Sequence, residues 1–375
     1  MPPPTSSPTI RSTWSGWYSS SPGTTDDLEP ESPGPRPRRS PGRDARPLVR
    51  SAGARVLLTG GTGFFGSWLL ESFAWANDRL QLHATATVLT RDPSAFHRKA
   101  PHLSEDAAVV LVPGDIRGSL EGLGSFDAVI HAATSANADL NRTDPVAMVD
   151  TIVDGTRHVL NAVAGAGSIP VLLTSSGAVY GRQPPDIEAM SEDATSGPDP
   201  LDPGSAYAEG KRLAELLGAI YSTTTGLEIK VARCYAFVGP YLPLDRHFAI
   251  GNFIRDGIAG GPIRVQGDGS TVRSYLYAAD LAVWLWTILL RGRSRRAYNV
   301  GSEDAIDIAS LARVVATAFK APRTVEVLGA PTPDRPVDRY VPSTDRARTE
   351  LRLEQRVPLT DAIERTVAWN RTRGA

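Results

Sequence analysis

Three residues whose types suit proton transfer at a carbinol occur in order along this chain: Ser176, Tyr207 and Lys211. Tyr207 and Lys211 are four positions apart in Tyr207-Ala208-Glu209-Gly210-Lys211, so on a helix both side chains share one face. A tyrosine has an ordinary pKa of about 10 and is a poor base at neutral pH. An ammonium within a few ångström, joined by a second positive charge, favours the phenolate and lowers that value by ~1–3 units, which makes the phenol usable for proton transfer. The competing explanation is a surface pair adjacent by accident. With ten tyrosines and four lysines in 375 residues, that spacing is expected about 0.1 times by chance. The chain carries thirty-six arginines against four lysines, yet it places here the compact point charge that a guanidinium replaces poorly. Ser176 closes the run Leu173-Thr174-Ser175-Ser176-Gly177-Ala178-Val179-Tyr180-Gly181, where its hydroxyl could bond a substrate oxygen facing Tyr207. Taken singly, a loop serine is usually chemically silent.

These side chains need a frame. From residue 55 onward, short apolar runs alternate with helical patterns, the signature of stacked βα units on a parallel sheet. Strands are expected at 55–59, 84–89, 109–112, 128–131, 171–174 and 230–234, with helices at 68–76, 145–164 and 207–224. The fold class is therefore α/β, a doubly wound parallel (Rossmann) sheet that binds ligands beyond the carboxyl ends of its strands. After Gly239, Pro, Gly and Asp interrupt the pattern, so a smaller substrate-binding lobe is expected over 237–375. A helix at 280–290 and a strand at 297–300 follow, and the segment 280–301 is expected to return to the dinucleotide-binding domain, 53–236.

The first expected strand runs into Thr59-Gly60-Gly61-Thr62-Gly63-Phe64-Phe65-Gly66, with glycines three apart before a helix. Gly60 permits a tight turn, Gly63 lets the backbone approach a pyrophosphate, and Gly66 lets helix and strand pack closely, while N–H groups at the helix start attract the anion. Glycines alone would indicate a turn; the strand-turn-helix context indicates a dinucleotide site. The second strand has no acid at its tip for a ribose hydroxyl, and Arg91 there could pair with a 2′-phosphate, which leans towards NADP, or be a solvated loop residue. Asp115 could hold the adenine amino group or cap a turn.

Composition sets bounds. The formal net charge is −1, so no basic field recruits nucleic acid or anionic lipid. The single cysteine, Cys234, excludes an internal disulfide framework. The longest apolar stretch, 281–290, is about half of the ~20 residues needed to span a bilayer. Eleven of the thirty prolines fall in the first fifty residues, among Ser, Gly and Arg, so 1–52 is expected to be a disordered tail. Its acids argue against a transit peptide and it has no apolar signal core, leaving a cytoplasmic location as the expectation. No metal is expected.

Together these residues resemble the extended short-chain dehydrogenase/reductases, specifically the NAD-dependent epimerase/dehydratases that modify nucleotide sugars, and the run 175–181 resembles UDP-glucose 4-epimerases more closely than the dehydratases of that family. The matching segments are 59–66, His131-Ala132-Ala133, 175–181, 207–211, Gly239-Pro240, 273–280 and 298–301. The resemblance implies a catalytic Ser176, Tyr207 and Lys211, and a cofactor held by Gly60, Thr62, Gly63, Phe64, Phe65, Gly66, Arg91, Asp115, Ile116, Ala132, Ala133 and Cys234 besides Tyr207 and Lys211. It implies a nucleotide diphosphate sugar as substrate, contacted by Ser176, His247, Phe248, Gln266 and Arg273, the last pairing with the diphosphate unless a neighbouring carboxylate claims it. It also implies a homodimer joined through two helices of each subunit.

Departures bear on the reaction. The 4,6-dehydratases carry Asp-Glu, and UDP-glucuronate decarboxylases Ser-Glu, directly after the position of Ser176, where this chain has Gly177 and Ala178. Water elimination needs one group for the C5 proton and another for the leaving hydroxyl, and neither Gly nor Ala supplies one. Ala236 and Ile152 stand where many relatives have asparagine. The expected activity is C4 epimerisation through transient oxidation by bound NAD(P), which favours a tightly held NAD. The alternatives are an NADPH-dependent 4-ketosugar reductase, a dehydratase with acid and base from elsewhere, and a cofactor-sensing or scaffold protein without chemistry.

Overall fold

Alternation along the strands explains the architecture. In the computed structural model, which describes residues 53–133, 138–246, 248–330 and 336–373, Leu58, Ile130 and Leu172 enter one apolar core while their neighbours Leu57, Val129, Val171 and Leu173 enter another on the opposite face. A strand apolar on both faces must be covered on both, which is what parallel sheets require. The strands β1 (Arg55–Thr59), β2 (Thr85–Thr90), β3 (Val109–Pro113), β4 (Ala128–His131), β5 (Pro170–Ser176), β6 (Glu228–Cys234) and a seventh, Arg296–Val300, form one sheet in the spatial order seventh-β6-β5-β4-β1-β2-β3. Every pairing in it is parallel. The order reverses between β1 and β4, so their carboxyl ends open a crevice.

Helices cover the two faces. On one side lie α1 (Phe64–Leu80), after which come the short α2 (Pro93–Lys99) and α3 (Pro101–Ser104). On the other, following the short α4 (Ala138–Thr143), lie α5 (Pro145–Val163) and α6 (Ala206–Thr225). Asp144 caps α5 by accepting the Ala147 N–H at 3.0 Å, with Pro145 pre-setting the first turn. The buried side of α6 is small: Ala208, Gly210, Ala214 and Gly218 flank Lys211. A Cβ on Gly210 would meet Ile152 Cδ1 at 3.1 Å. This close approach is what allows Lys211 to reach the end of β5.

The chain then leaves the sheet through β7 (Phe237–Val238), α7 (Ala249–Ile258), β8 (Ile263–Val265), β9 (Val272–Arg273) and β10 (Leu276–Tyr277). It returns through α8 (Ala278–Arg291), which packs on α1, and through β11 (Arg296–Val300), the seventh strand. The remaining elements are β12 (Ile306–Asp307), α9 (Ile308–Thr317), β13 (Val325–Val327), β14 (Arg339–Tyr340), α10 (Asp345–Leu351) and α11 (Leu359–Arg373). β9 pairs with both β12 and β14, and this small sheet brings Tyr340 over the carboxyl end of β5. Among the described residues no helix is long and apolar enough to cross a membrane. The expected tail, 1–52, lies outside them.

Candidate active site

At the carboxyl end of β1, Gly60 has φ +71, a left-handed conformation that side chains rarely adopt. A Cβ there would lie 2.4 Å from the Ala132 carbonyl oxygen, at the end of β4. Gly63 precedes α1 with no side-chain cap, and the first turn of α1 holds no acid. The turn therefore presents its N–H groups and the positive end of a seventeen-residue helix to the crevice, with bare backbone at closest approach. The residues fit a dinucleotide pyrophosphate. Thr62, Phe64, Phe65 and Gly66 lie on this turn and the start of α1, and Ala132 and Ala133 face it from β4.

At the carboxyl end of β2, Arg91 is exposed. The neighbouring acid, Asp92, accepts the Ala95 N–H at 2.8 Å and so caps α2. Asp115 is engaged by Arg117, which pairs with it at 2.8 Å; this bond, with the Arg117 backbone N–H, lowers its pKa to about 2. Ile116 is buried and its carbonyl accepts a hydrogen bond from His158 at 3.0 Å.

The three expected proton-transfer residues come together. Ser175 and Ser176 point to opposite faces of β5: Ser175 to Glu215 on α6, Ser176 into the crevice, where its Oγ caps the 3₁₀ turn Gly177–Tyr180. Tyr207, at the start of α6, is hydrogen-bonded through its hydroxyl to Ser176. The Lys211 ammonium lies 6.0 Å from the Tyr207 ring centre and donates to the Thr174 carbonyl at 2.7 Å. The electrostatics differ from the expectation for the phenol. Burial pushes Tyr207 up to about 12, against the lowering effect of the Ser176 bond, and burial brings Lys211 down to about 8. Desolvation penalises both charged forms, so the phenolate needs positive charge beyond what the protein alone supplies.

At the carboxyl end of β5, Tyr340 places its hydroxyl 3.2 Å from Ser176 Oγ and 3.4 Å from the Cys234 carbonyl. The sequence reading missed it. Tyr340 is 164 residues from Ser176 on a two-residue strand, too short for periodicity to mark. Arg273 stands 5.8 Å from the Tyr340 ring centre and is paired with Asp338 at 2.7 Å, so the structure gives it the carboxylate partner weighed above. Phe248 immediately precedes α7, Gln266 is exposed after β8, and Cys234 is buried, a free thiol at the end of β6. His247 lies outside the described residues.

The model of the NAD dependent epimerase/dehydratase family matches residues 56–301. The chain belongs to that family. Among curated proteins it is similar to UDP-glucuronic acid decarboxylase 1 of Arabidopsis thaliana, 29% identical over 85% of this chain and 70% of that one. Among solved structures it is similar to DesIV, the dTDP-glucose 4,6-dehydratase of Streptomyces venezuelae with NAD and TYD bound, with a TM-score of 0.72, 26% identity and coverage of 85% and 98%. UDP-glucose 4-epimerase of Thermotoga maritima, solved with UDP-glucose, also gives a TM-score of 0.72, at 19% identity over 86% of this chain and 100% of that one, which speaks for the fold alone.

In this family member the trio rests on buried and partly buried polar supports. Glu215, four residues beyond Lys211 on α6, accepts a 2.5 Å bond from Ser175 and pairs with Arg233 at 2.7 Å. Arg233 also donates to Tyr180, whose hydroxyl bonds Asn299 on β11. The spacing 207, 211, 215 was a visible signal for Glu215; nothing in sequence tied Arg233 to it. On β4, His131 is buried between Thr59 Oγ1, 2.7 Å from Nδ1, and Thr156 Oγ1, 3.1 Å from Nε2. Thr156 commits its proton to the Ile152 carbonyl, so Nε2–H donates to Thr156 and Nδ1 accepts from Thr59, which assigns a neutral ring. Burial, and then the charge of Lys211, lower the His131 pKa to about 3.

That shift has a pH consequence. The folded state binds the His131 proton less readily than the unfolded state, so its stabilising contribution is whole above about pH 6.5 and is lost as pH falls towards about 3. At 1.36 kcal/mol per unit, the protein loses about 2 kcal/mol between pH 6.5 and pH 5 from this residue. Denaturant unfolding at pH 7 and pH 5 should show that loss in the wild type and a smaller one in His131→Gln; equal losses would exclude His131 as its source.

Proposed function

We propose that this family member is a nucleotide-sugar epimerase that acts by transient oxidation at C4. The observation that carries the reading is the Tyr207–Ser176 hydrogen bond with Lys211 beside it, next to Gly177 and Ala178, which offer no acid or base for elimination. Ser176 steadies the C4 oxygen and Tyr207 takes its proton, returning it after the sugar has turned. Lys211, anchored on the Thr174 carbonyl, holds positive charge against the phenol. Bound nicotinamide supplies hydride acceptance and return. Arg91, with the neighbouring Asp92 committed to its helix cap, favours NADP at the adenosine ribose, whereas a redox-neutral cycle favours NAD.

Incubating the purified protein with NAD+ or NADP+ and UDP- or dTDP-hexoses should yield the C4 epimer by NMR; absence of any epimer would sink the reading. Similarity to a UDP-glucuronic acid decarboxylase favours a second reaction, oxidation of UDP-glucuronate at C4 followed by loss of carbon dioxide. A UDP-pentose with released carbon dioxide in the same assay would select it, and stoichiometric NADPH consumption with a keto sugar would select a reductase.

Lys211 sets the pH range. Its ammonium is present below about pH 8 and lost above it, because burial lowers its pKa. Turnover should therefore fall as pH rises through about 8, and a kcat profile flat to pH 10 would refute the role.

The same α5–α6 face supports a homodimer. Val146, Leu213, Leu216 and Ile220 are 68%, 41%, 55% and 47% exposed on it, beside a cavity of about 820 Å³ reaching Glu215 and Arg233. A second copy would cover this apolar surface.

A further inference from the structure

Of the three basic residues that close α2, His97 and Arg98 face solvent and Lys99 is half-buried. Its ammonium donates to the Thr62 carbonyl at 2.8 Å and to Ser67 Oγ at 3.2 Å. Thr62 lies within the glycine turn, and the Ser67 hydroxyl in turn donates to the Gly63 carbonyl at 2.7 Å. Two successive carbonyls of the turn are therefore held from α2, one directly and one through Ser67. A lysine that only complemented the dipole of its own helix would need neither bond.

The ammonium is also walled in. The Tyr241 ring centre lies 5.3 Å from Nζ. The Tyr241 hydroxyl donates at 2.6 Å to Glu71, a buried carboxylate on α1 that is also 2.7 Å from Nε2 of His102 on α3. Tyr241 has φ +71, a left-handed conformation that a bulky residue keeps only where its surroundings over-determine it. Three helices and the loop after β7 thus converge on one side chain. What this does for the turn follows from one peptide group. The carbonyl of the Thr62–Gly63 peptide bonds Lys99, and its N–H donates to the Gly60 carbonyl at 3.0 Å. With both ends bonded the peptide plane is fixed, and its oxygen is turned to a cation instead of to a phosphate that it would repel.

We propose that Lys99 is a positioning residue for the cofactor: it holds the glycine turn in the shape that receives a pyrophosphate, and so raises dinucleotide affinity. This rests on the dinucleotide reading of the turn and is independent of which sugar reaction follows. Without the ammonium the turn samples other peptide orientations, and the apparent affinity falls with the population of the competent one.

Calorimetric titration with NAD+, NADP+, ADP-ribose and adenosine makes the test. Lys99→Met keeps an unbranched side chain and removes the charge. It should weaken the dinucleotide and ADP-ribose by about 10-fold or more, as expected for loss of a charge-assisted hydrogen bond. Adenosine has no pyrophosphate and should change by less than about twofold. Lys99→Cys should show the same loss, and alkylation with 2-bromoethylamine, which rebuilds an ammonium side chain of lysine's length, should recover most of it. Wild type treated in the same way controls for the buried Cys234. Unchanged dinucleotide affinity in Lys99→Met, an equal loss for adenosine, or no recovery on alkylation would overturn the proposal. Should neither Lys99 variant fold, Ser67→Ala carries the test. Loss of the Ser67 oxygen should weaken the dinucleotide by about threefold or more, and wild-type affinity there would equally overturn the proposal. A wild type that binds neither dinucleotide nor ADP-ribose would defeat the reading of the glycine turn together with the proposal.

Discussion

Tyr207→Phe should lower turnover by about 10³-fold while leaving cofactor affinity within about twofold, because positioned proton transfer contributes roughly 10²- to 10⁴-fold. The substitution removes one oxygen, the one bonded to Ser176. The ring keeps its packing against Met148, Ile152 and Ala214, so the fold should hold. The glycine turn that carries the dinucleotide reading belongs to β1 and α1, not to α6, so cofactor binding should be unaffected. Single-turnover kinetics and cofactor titration check both halves. A variant retaining more than about a tenth of wild-type turnover would show that another group moves the proton, and one that loses cofactor binding to the same degree would show a structural role instead.

Gly60→Ala should act at the opposite end of the mechanism, abolishing cofactor binding before chemistry begins. Its φ of +71 would cost an alanine about 1–2 kcal/mol. The added methyl would then meet the Ala132 carbonyl oxygen at 2.4 Å, its carbon at 2.5 Å and the Ala133 nitrogen at 2.7 Å. All three are backbone atoms at the end of β4, held by the Ala132 N–H bond to the Thr59 carbonyl at 3.1 Å, so none can swing aside as a side-chain tip would. The turn must shift, and NAD(P) affinity should fall by at least about 100-fold, or about 2.8 kcal/mol. Gly63→Ala is the control. Its φ is −77 and its Cβ would stand 3.2 Å from the Gly60 carbonyl oxygen, so a smaller loss is expected by calorimetry. Equal losses at both positions would refute the account of Gly60.

The difference between these sites also shows how far the chain could be read without coordinates. Everything local was legible. The strand-turn-helix around Gly60, the helical spacing of Tyr207 and Lys211, and the apolar runs of the parallel sheet are set by backbone conformation and by periods of two and 3.6 residues. Expected elements and observed ones agree to within a few residues: the strand expected at 171–174 runs Pro170–Ser176, and the helix expected at 68–76 runs Phe64–Leu80. Ends slip because caps and packing, not pattern, decide them.

What pattern could not carry was contact across distance. Tyr340 reaches Ser176 from a two-residue strand 164 residues away, and Tyr235 occupies the room of a side chain that Gly177 does not have; neither residue repeats with any period. The ionisation of Tyr207 also went the other way. Spacing places an ammonium near a phenol, but only the packed structure decides how much water each has lost, and here burial of the phenol outweighs the lowering effect of Ser176. Sequence by itself determined which chemical groups are present and which share an element. Tertiary structure alone decided which groups from different elements touch and in what dielectric, because both depend on how the sheet, its covering helices and the small lobe close on one another.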